Sequence, residues 1–267
     1  MNVARSRILA LTGVLLACAG CACAPATAGA SETVSLHTSF TPDRLGASTT
    51  IGFGFAIVNT TGEPPAPLTS LSLRLPPGIN YLTTTLGLAI CDPAKLLASG
   101  LNGCSPNSRL GFGSAFVEVP FGQGSGHEIP DIQALMGPPH NGNIVVLFYA
   151  DGREPVYAQL VFQGELIAGS STLAGSLDTA IPLIPSVTSG PPVSIVSAQT
   201  TIGPAHLIYY EKVHGRKVAF HPKGVSVPSR CPRGGFPFSA TFGFADGTSA
   251  VATSVVPCPP RATRRRA

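Results

Sequence analysis

Glycine and proline interrupt this chain so often that long regular helices are excluded. The 267 residues include 30 Gly and 26 Pro, whereas charged residues make up only 11% of the chain. Helix bundles and coiled coils need many Lys, Glu and Ala, and glycine and proline are the poorest helix formers. The apolar fraction is 44%, too high for a disordered protein. We therefore expect a folded chain of short strands joined by frequent turns.

Several apolar runs alternate with a period of two, as half-buried strands do. Residues 51–57 alternate Ile or Phe with Gly or Ala, and residues 238–244 repeat the pattern with Phe and Ala. Three dipeptides that favour tight antiparallel hairpins separate such runs: Asn141-Gly142, Asp151-Gly152 and Asp246-Gly247. The sequence predicts an all-β fold, built as one or two antiparallel Ig-like β-sandwiches.

One short helix is expected after Asp92. Asp92 can cap its first turn, Pro93 suits the first helical position, and Gly100 can end it. Cys91 and Cys104 flank the segment, so a disulfide between them would clip the helix onto the edge of the sheet.

The first thirty residues have the order of a secretory signal. Arg5 and Arg7 precede an apolar run at 8–24, and small residues at 28–30 precede Ser31. The predicted organisation is a signal peptide at 1–30 and an exported remainder, either secreted or held in the cell envelope.

Two alternatives concern this leader. A retained membrane helix needs about 20 consecutive apolar residues, and this run is interrupted by Gly20 and stopped by Pro25. No later segment is long enough to span a membrane. Residues 15–18, Leu-Leu-Ala-Cys, resemble a bacterial lipobox, so lipidation of Cys18 is the alternative to cleavage after Ala30.

Four cysteines lie beyond the leader: Cys91, Cys104, Cys231 and Cys258. An even number in an exported chain indicates disulfides, and three connectivities are open. Pairing of sequence neighbours is the simplest. A zinc site with four thiolates would need cysteines in closely spaced pairs, so no metal or other cofactor is expected.

A domain boundary is expected in the Gly-rich stretch at 122–126, and the alternative is the following segment at 130–139. It divides the chain into an N-terminal sandwich at 31–125 and a C-terminal sandwich at 126–260, followed by a basic tail at 261–267. The formal charge of +4 comes from the leader and the tail, and 11 basic against 13 acidic residues remain between them. No nucleic-acid partner is expected. The tail is either a solvated terminus or a contact for an anionic polymer.

No catalytic motif is present. His206, His214 and His221 are spaced by eight and seven residues, without the close pairs of zinc sites. The Gly-x-Ser-x-Gly pentapeptide of α/β hydrolases is absent. Asp151 and Asp246 are better explained by hairpin turns than as paired catalytic carboxylates. We expect no enzyme, with a hydrolase assembled by the fold as the alternative.

Tyr209 and Tyr210 are adjacent, so a strand would point them to opposite faces. A core or interface role is expected for them. Membership of a concave binding site is the alternative.

Two segments resemble uncharacterised exported proteins of high-GC Gram-positive bacteria. The first contains Leu-Pro-Pro-Gly at 75–78 together with Cys91 and Cys-Ser-Pro at 104–106; the second runs from Cys-Pro-Arg-Gly-Gly at 231–235 to Pro-Cys-Pro at 257–259. The resemblance implies an extracellular β architecture and carries no activity.

Together these observations predict a non-enzymatic envelope or secreted protein with a structural or adhesive role. Its partner would be a cell-wall polymer or a surface protein. The alternative is an extracellular ligand-binding module, and the second alternative is an unrecognised extracellular hydrolase.

Overall fold

The computed structural model describes residues 32–122, 124–154, 157–169 and 175–259. The predicted signal peptide, Cys18 and the basic tail at 261–267 lie outside the described residues. The described chain contains a short α-helix, α1 (Pro93–Ser99), two 3-10 turns (Gly100–Gly103 and Pro106–Ser108), and sixteen strands. The strands are β1 (Glu32–Thr41), β2 (Ser48–Asn59), β3 (Leu68–Leu75), β4 (Asn80–Tyr81), β5 (Arg109–Phe121), β6 (Gly124–Glu128), β7 (Asp131–Met136), β8 (Ile144–Gly152), β9 (Ala158–Ala168), β10 (Gly175–Ala180), β11 (Ser194–Ile202), β12 (Tyr209–Val213), β13 (Arg216–Phe220), β14 (Val225–Ser226), β15 (Phe236–Phe244) and β16 (Ser249–Val256).

Fourteen of these strands form one sheet, in the order β16-β15-β3-β10-β9-β8-β7-β5-β11-β2-β14-β4. In addition, β1 pairs with β2 and β6 pairs with β5. Every strand pairing described is antiparallel. The strands β12 and β13 form a separate two-stranded ribbon.

The predicted all-β class, with antiparallel pairing and one short helix, is confirmed. The finer prediction of one or two Ig-like sandwiches is not confirmed. Strands from the predicted halves 31–125 and 126–260 alternate in the large sheet: β11 lies between β2 and β5, and β3 lies between β10 and β15. The hairpin signals in the sequence are local, and they carry no information on which distant strands become neighbours.

The sheet rolls up until its two ends meet, because β1 at one end lies beside β16 at the other. The Thr38 hydroxyl donates to Ser254 Oγ at 3.0 Å, and the Thr248 hydroxyl donates to Glu32 Oε2 at 3.3 Å. In each of these two hydrogen bonds, the partners lie 216 positions apart in the sequence. β1 and β16 therefore run in the same direction and keep one register along their contact. The rolled sheet therefore has an inner face that is separated from water.

Phenylalanines fill the part of this interior next to the seam. Phe40 of β1 packs edge-on against Phe236 of β15, with ring centroids 5.3 Å apart. Phe55 of β2 packs against Phe242 of β15 at 5.1 Å, although β2 and β15 are far apart in the strand order. Alternate residues of β15 from Phe236 to Phe244 are buried, as the period of two predicts. Each buried phenylalanine stabilises the fold by about 2–3 kcal/mol relative to an exposed one.

Glycines let β5 and β11 approach closely on the inner side. A Cβ atom added at Gly111 would overlap the carbonyl oxygen of Thr201, and one at Gly113 would overlap that of Gln199. Register shifts occur in the same two strands, between Arg109 and Gly111 and between Ile195 and Ser197. Glycines and bulges are the usual means by which a sheet acquires strong curvature.

The helix packs on the outside of the rolled sheet. The Asp92 carboxylate accepts hydrogen bonds from the backbone N–H groups of Ala94 at 2.8 Å and Lys95 at 3.1 Å, which is the predicted N-cap. Leu96 is fully buried in a cluster with outward-facing residues of β7 and β8: Leu135, Val145, Leu147 and Tyr149.

The four described cysteines lie in two pairs at disulfide distance. Cys91 and Cys104 have Cα atoms 5.2 Å apart and flank α1, and Cys231 and Cys258 have Cα atoms 5.8 Å apart. The second pair joins the chain just before β15 to the chain just after β16. It therefore ties together the hairpin that closes the sheet against β1.

Replacement of Gly111 by alanine should destabilise the protein by about 3 kcal/mol or more, because the new methyl group overlaps the β11 backbone. Gly124→Ala is the matched control, since the nearest atom to its added Cβ is the Phe121 carbonyl oxygen at 4.0 Å. Urea unfolding followed by circular dichroism measures both. Equal midpoints for the two variants would contradict the close approach of β5 and β11.

Removal of the Cys231–Cys258 link by serine substitution should lower the free energy of unfolding by about 3.5 kcal/mol, because the link closes a loop of 27 residues. The Cys91→Ser/Cys104→Ser variant should lose about 3 kcal/mol for its loop of 13 residues. Intact mass after alkylation, with and without prior reduction, checks the pairing itself. Alkylation of unreduced wild-type protein at any of these cysteines would overturn it.

Candidate binding cavity

The interior of the rolled sheet is not completely filled. Away from the phenylalanine-packed seam it contains a main cavity of about 400 Å³. Its wall is built by inward-facing side chains of β2, β3, β5, β7, β8, β9, β10 and β11, and most of them are aliphatic or aromatic. Phe148 and Phe162, from neighbouring strands, stack with centroids 5.3 Å apart in this wall.

The main cavity opens at one end of the rolled sheet. Its solvent-exposed lining residues are Asn80 in β4, Gly142 before β8, and Ala168 at the end of β9. Because β8 begins and β9 ends at this side, Gly142 and Ala168 belong to the same rim. Asn141 and Gly142 have φ values of 50° and 80° and form the tight turn that the sequence predicts there.

A small cavity of about 80 Å³ lies at the opposite end. It shares five lining residues with the main cavity, so the two adjoin: Ala115, Ile132, Phe162, Ile181 and Ile195. Residues 182–193 cover this end and contribute Pro182, Leu183, Ile184 and Val193 to the wall. The Val193 N–H donates to the Ile184 carbonyl at 2.8 Å, which holds the covering segment closed on itself.

Three buried side-chain oxygens have no hydrogen-bond partner among the described residues, namely Tyr81 Oη, Glu128 Oε1 and Ser186 Oγ. Tyr81 lines the main cavity and Glu128 lines the small one. A buried polar group without a partner costs about 1–3 kcal/mol, so such groups in a native structure call for an explanation. All three oxygens are enclosed by surrounding protein atoms, so they do not reach the surface of either cavity.

Glu128 is held rigidly at the end of β6. It pairs with Val117 of β5, and only 8% of it is exposed. The backbone N–H groups of Arg153 and Glu154 donate to its carboxylate. A Cβ atom at Gly152 would come within 2.5 Å of Oε1, so the carboxylate packs directly against this glycine.

Burial governs the titration of both cavity residues. It raises the pKa of the Glu128 carboxyl above its usual value, although the hydrogen bonds from Arg153 and Glu154 oppose the shift. Burial also raises the pKa of Tyr81 far above its usual value, and the nearby Tyr209 adds to this effect. The Tyr81 phenol is therefore neutral at physiological pH.

The adjacent tyrosines point to opposite faces, as predicted, and neither lines a cavity. Tyr209 is fully buried, its hydroxyl accepts from the Gly87 N–H at 3.0 Å, and it donates to the Arg109 carbonyl. Tyr210 lies under Lys217, whose Nζ is 4.1 Å from the ring centroid. Both contacts are structural.

The structure does not bring the three candidate histidines into a metal site. His206 packs edge-on against Phe112, His221 Nδ1 lies 3.1 Å from the Leu207 carbonyl, and His214 occupies a turn with φ of 49°. Within the part of the chain that the structure describes, no group of three or more His, Cys, Asp or Glu residues could hold a metal ion.

The two candidate carboxylates have different structural roles. Asp246 accepts hydrogen bonds from Thr248 in a turn, which lowers the pKa of Asp246 and agrees with the turn interpretation. The predicted turn at Asp151-Gly152 is wrong, because β8 extends to Gly152 and the connection to β9 follows it. Asp151 pairs instead with Arg153, an exposed ion pair with a distance of 2.8 Å.

No α-helix among the described residues has the length and apolar character needed to cross a membrane. No protein-family model, curated protein or solved structure matches the chain significantly.

Replacement of Glu128 by glutamine should remove a pH-dependent part of the stability. The unfolded chain loses this proton near the ordinary pKa of 4.5, while the folded chain retains it to higher pH. The contribution of Glu128 is therefore fully present below the unfolded pKa and is lost as the pH rises through the folded pKa. The free energy of unfolding of wild type minus that of Glu128→Gln should fall as the pH rises above about 4.5 and should level off above the folded-state pKa.

Urea unfolding at several pH values measures this difference. Glu211→Gln, on the exposed ribbon, controls for the loss of one surface charge. A difference between wild type and Glu128→Gln that stays constant with pH would contradict the burial of an uncompensated carboxyl.

Proposed function

We propose that this protein is an exported binding protein that holds a small apolar molecule inside its rolled sheet. The observation that carries the proposal is the main cavity: about 400 Å³, with a wall that is mainly apolar and a rim exposed at one end. Ligand sites of proteins span about 300–1,000 Å³ and are lined mainly by apolar side chains with a few polar groups. Asn80 and Asn143 supply such polar groups near the rim.

The energetics favour binding over a purely structural role. Protein interiors are packed as closely as organic crystals, and an apolar space that is left unpacked costs the contacts that its lining would otherwise make. A structural or adhesive module, the first expectation from the sequence, gains nothing from an unfilled interior. A binding protein regains this cost when the ligand enters, so the second expectation, a ligand-binding module, becomes the leading one.

An extracytoplasmic location is part of the proposal. Two cysteine pairs at disulfide distance support it, because disulfides persist in oxidising compartments outside the cytosol. The predicted signal at 1–30 supports it independently. The leader allows two modes of export. One is release after cleavage at Ala30, and the other is anchoring through a lipid on Cys18. We also propose a non-enzymatic role. The wall of the main cavity consists mainly of apolar side chains, which suit the burial of an apolar molecule.

Filling the main cavity should abolish binding without damage to the fold. Ala198 of β11 lines the cavity centrally, between Phe55 of β2 and Ala115 of β5, and Ala198→Phe would occupy the space. Titration with an apolar fluorescent dye such as N-phenyl-1-naphthylamine measures the affinity of each protein for the dye. We expect wild type to bind the dye and Ala198→Phe to bind at least about tenfold more weakly, which is about 1.4 kcal/mol.

Val251→Phe is the matched control, because it adds a similar aromatic group on the exposed outer face of β16. Ala198→Leu provides a smaller filling step in case phenylalanine overpacks the interior. Circular dichroism verifies the fold of each variant. Dye binding that is unchanged in folded Ala198→Phe or Ala198→Leu protein would place the dye outside the cavity and defeat the proposal.

A further inference from the structure

We infer that the ribbon of β12 and β13 docks this protein on an anionic membrane surface, with the opening of the main cavity turned toward the lipid. The inference goes beyond the proposed function, because it assigns an interaction surface and the partner that this surface contacts. Only the purpose of the docking, exchange of an apolar molecule between lipid and cavity, rests on the proposed function.

The ribbon leaves the fold at the end where the main cavity opens. β8 begins at this end, and successive antiparallel pairings place there the end of β7, the start of β5 and the end of β11. The chain then passes from Ile202, the last residue of β11, to Tyr209, the first residue of β12. The Tyr209 hydroxyl donates to the carbonyl of Arg109, which is the first residue of β5. The base of the ribbon is therefore fixed at the open end of the rolled sheet.

The ribbon projects from this base into solvent. At the base, Asn107 Nδ2 donates to the Tyr210 carbonyl at 2.7 Å, and the Tyr210 N–H donates to Asn107 Oδ1 at 2.8 Å. Beyond this clamp, every residue from Glu211 to Ala219 is exposed. Because a two-stranded hairpin without further packing is only marginally stable in water, a partner that covers the ribbon would stabilise it.

Positive charge is concentrated on the ribbon. It carries Lys212, Arg216 and Lys217 against one carboxylate, that of Glu211. Lys212 and Lys217 lie directly opposite each other in the register, and like charges in this position destabilise a strand pair. In the described part of the chain, none of these three cations forms an ion pair with a carboxylate. An anionic surface supplies the counter-charge that the protein itself does not provide.

Exposed valines favour a membrane over a soluble polyanion as the partner. Val213 and Val218 are 37% and 40% exposed, and they lie on the face of the ribbon opposite Lys212 and Lys217. A ribbon that enters a bilayer surface tip first brings both faces to the head groups. The valines then reach the boundary with the acyl chains, while the long cationic side chains reach the phosphates. A soluble polyanion would leave the valines in water.

The position of the ribbon determines what the docking achieves. Because the ribbon and the cavity opening lie at the same end, a ribbon on the bilayer brings the opening close to the lipid. An apolar molecule then passes between lipid and cavity over a short path through water, in which such molecules dissolve poorly.

Co-sedimentation with vesicles tests the docking. The protein released by cleavage at Ala30 is mixed with vesicles of phosphatidylcholine alone, or of phosphatidylcholine and phosphatidylglycerol in equal amounts. We expect binding to the phosphatidylglycerol vesicles to be at least about tenfold tighter at low ionic strength, and this preference to disappear at high salt. Equal binding to the two kinds of vesicle would overturn the inference.

A pair of double variants assigns the binding to the ribbon. Lys212→Gln/Lys217→Gln should weaken binding to the phosphatidylglycerol vesicles at least about tenfold. Lys95→Gln/Arg153→Gln, which removes two exposed cations outside the ribbon, is the matched control and should bind like wild type. The basic tail at 261–267 is identical in all of these proteins and contributes equally. Equal binding by the lysine variant and its control would also overturn the inference.

A third variant separates a membrane from a soluble polyanion. Val213→Ser/Val218→Ser leaves the charge unchanged and should weaken vesicle binding at least about threefold, without an effect on binding to inorganic polyphosphate. Vesicle binding that is unchanged in this variant would indicate a polyanion as the partner and defeat the membrane inference. Circular dichroism verifies the fold of each variant. Dye binding in the cavity is measured separately, so failure of the proposed function is distinguishable from failure of the docking.

Discussion

The contact between β1 and β16 is the constraint on which the rest of the molecule depends. It joins strands that begin 217 positions apart in the sequence, at Glu32 and Ser249, and it converts a long curved sheet into a closed wall. Without this seam the phenylalanines of β15 and the inward face of β2 would meet water. The Cys231–Cys258 link and the glycines of β5 support the same closure, one by tying the last hairpin and the other by permitting curvature.

Closure of the wall creates an interior, and side-chain size determines how that interior is used. Near the seam, Phe40, Phe55 and Phe242 fill the space by edge-to-face packing. Beside Phe55, the small inward residues Ala198 and Ala115 of the next two strands leave the main cavity open. The same strands therefore supply both a stabilising core and a binding site, and the cost of the open part is offset by the burial in the packed part.

The local features of this fold could be predicted from the sequence because short-range chemistry specifies them. The cap of α1 at Asp92, the turn at Asn141-Gly142 and the alternation in β15 each depend on residues within a few positions of one another. The prediction of a turn at Asp151-Gly152 was wrong because it considered only this dipeptide. The dipeptide favours a turn, but pairing of β8 with β7 and β9 extends the strand through it. Tertiary pairing thus overrides a local preference.

The sequence by itself determined the all-β class, the short helix between two cysteines and the frequent turns between strands. Only the tertiary structure decided that the strands form one rolled sheet rather than sandwiches, and that Glu128 faces its interior. The physical reason is that the inward or outward direction of a strand residue depends on register, and register here is set by partners more than a hundred positions away along much of the sheet. Glu128 lies in a short polar strand whose apolar neighbours come from β5, β8 and β9, so its burial was invisible until those strands were placed around it.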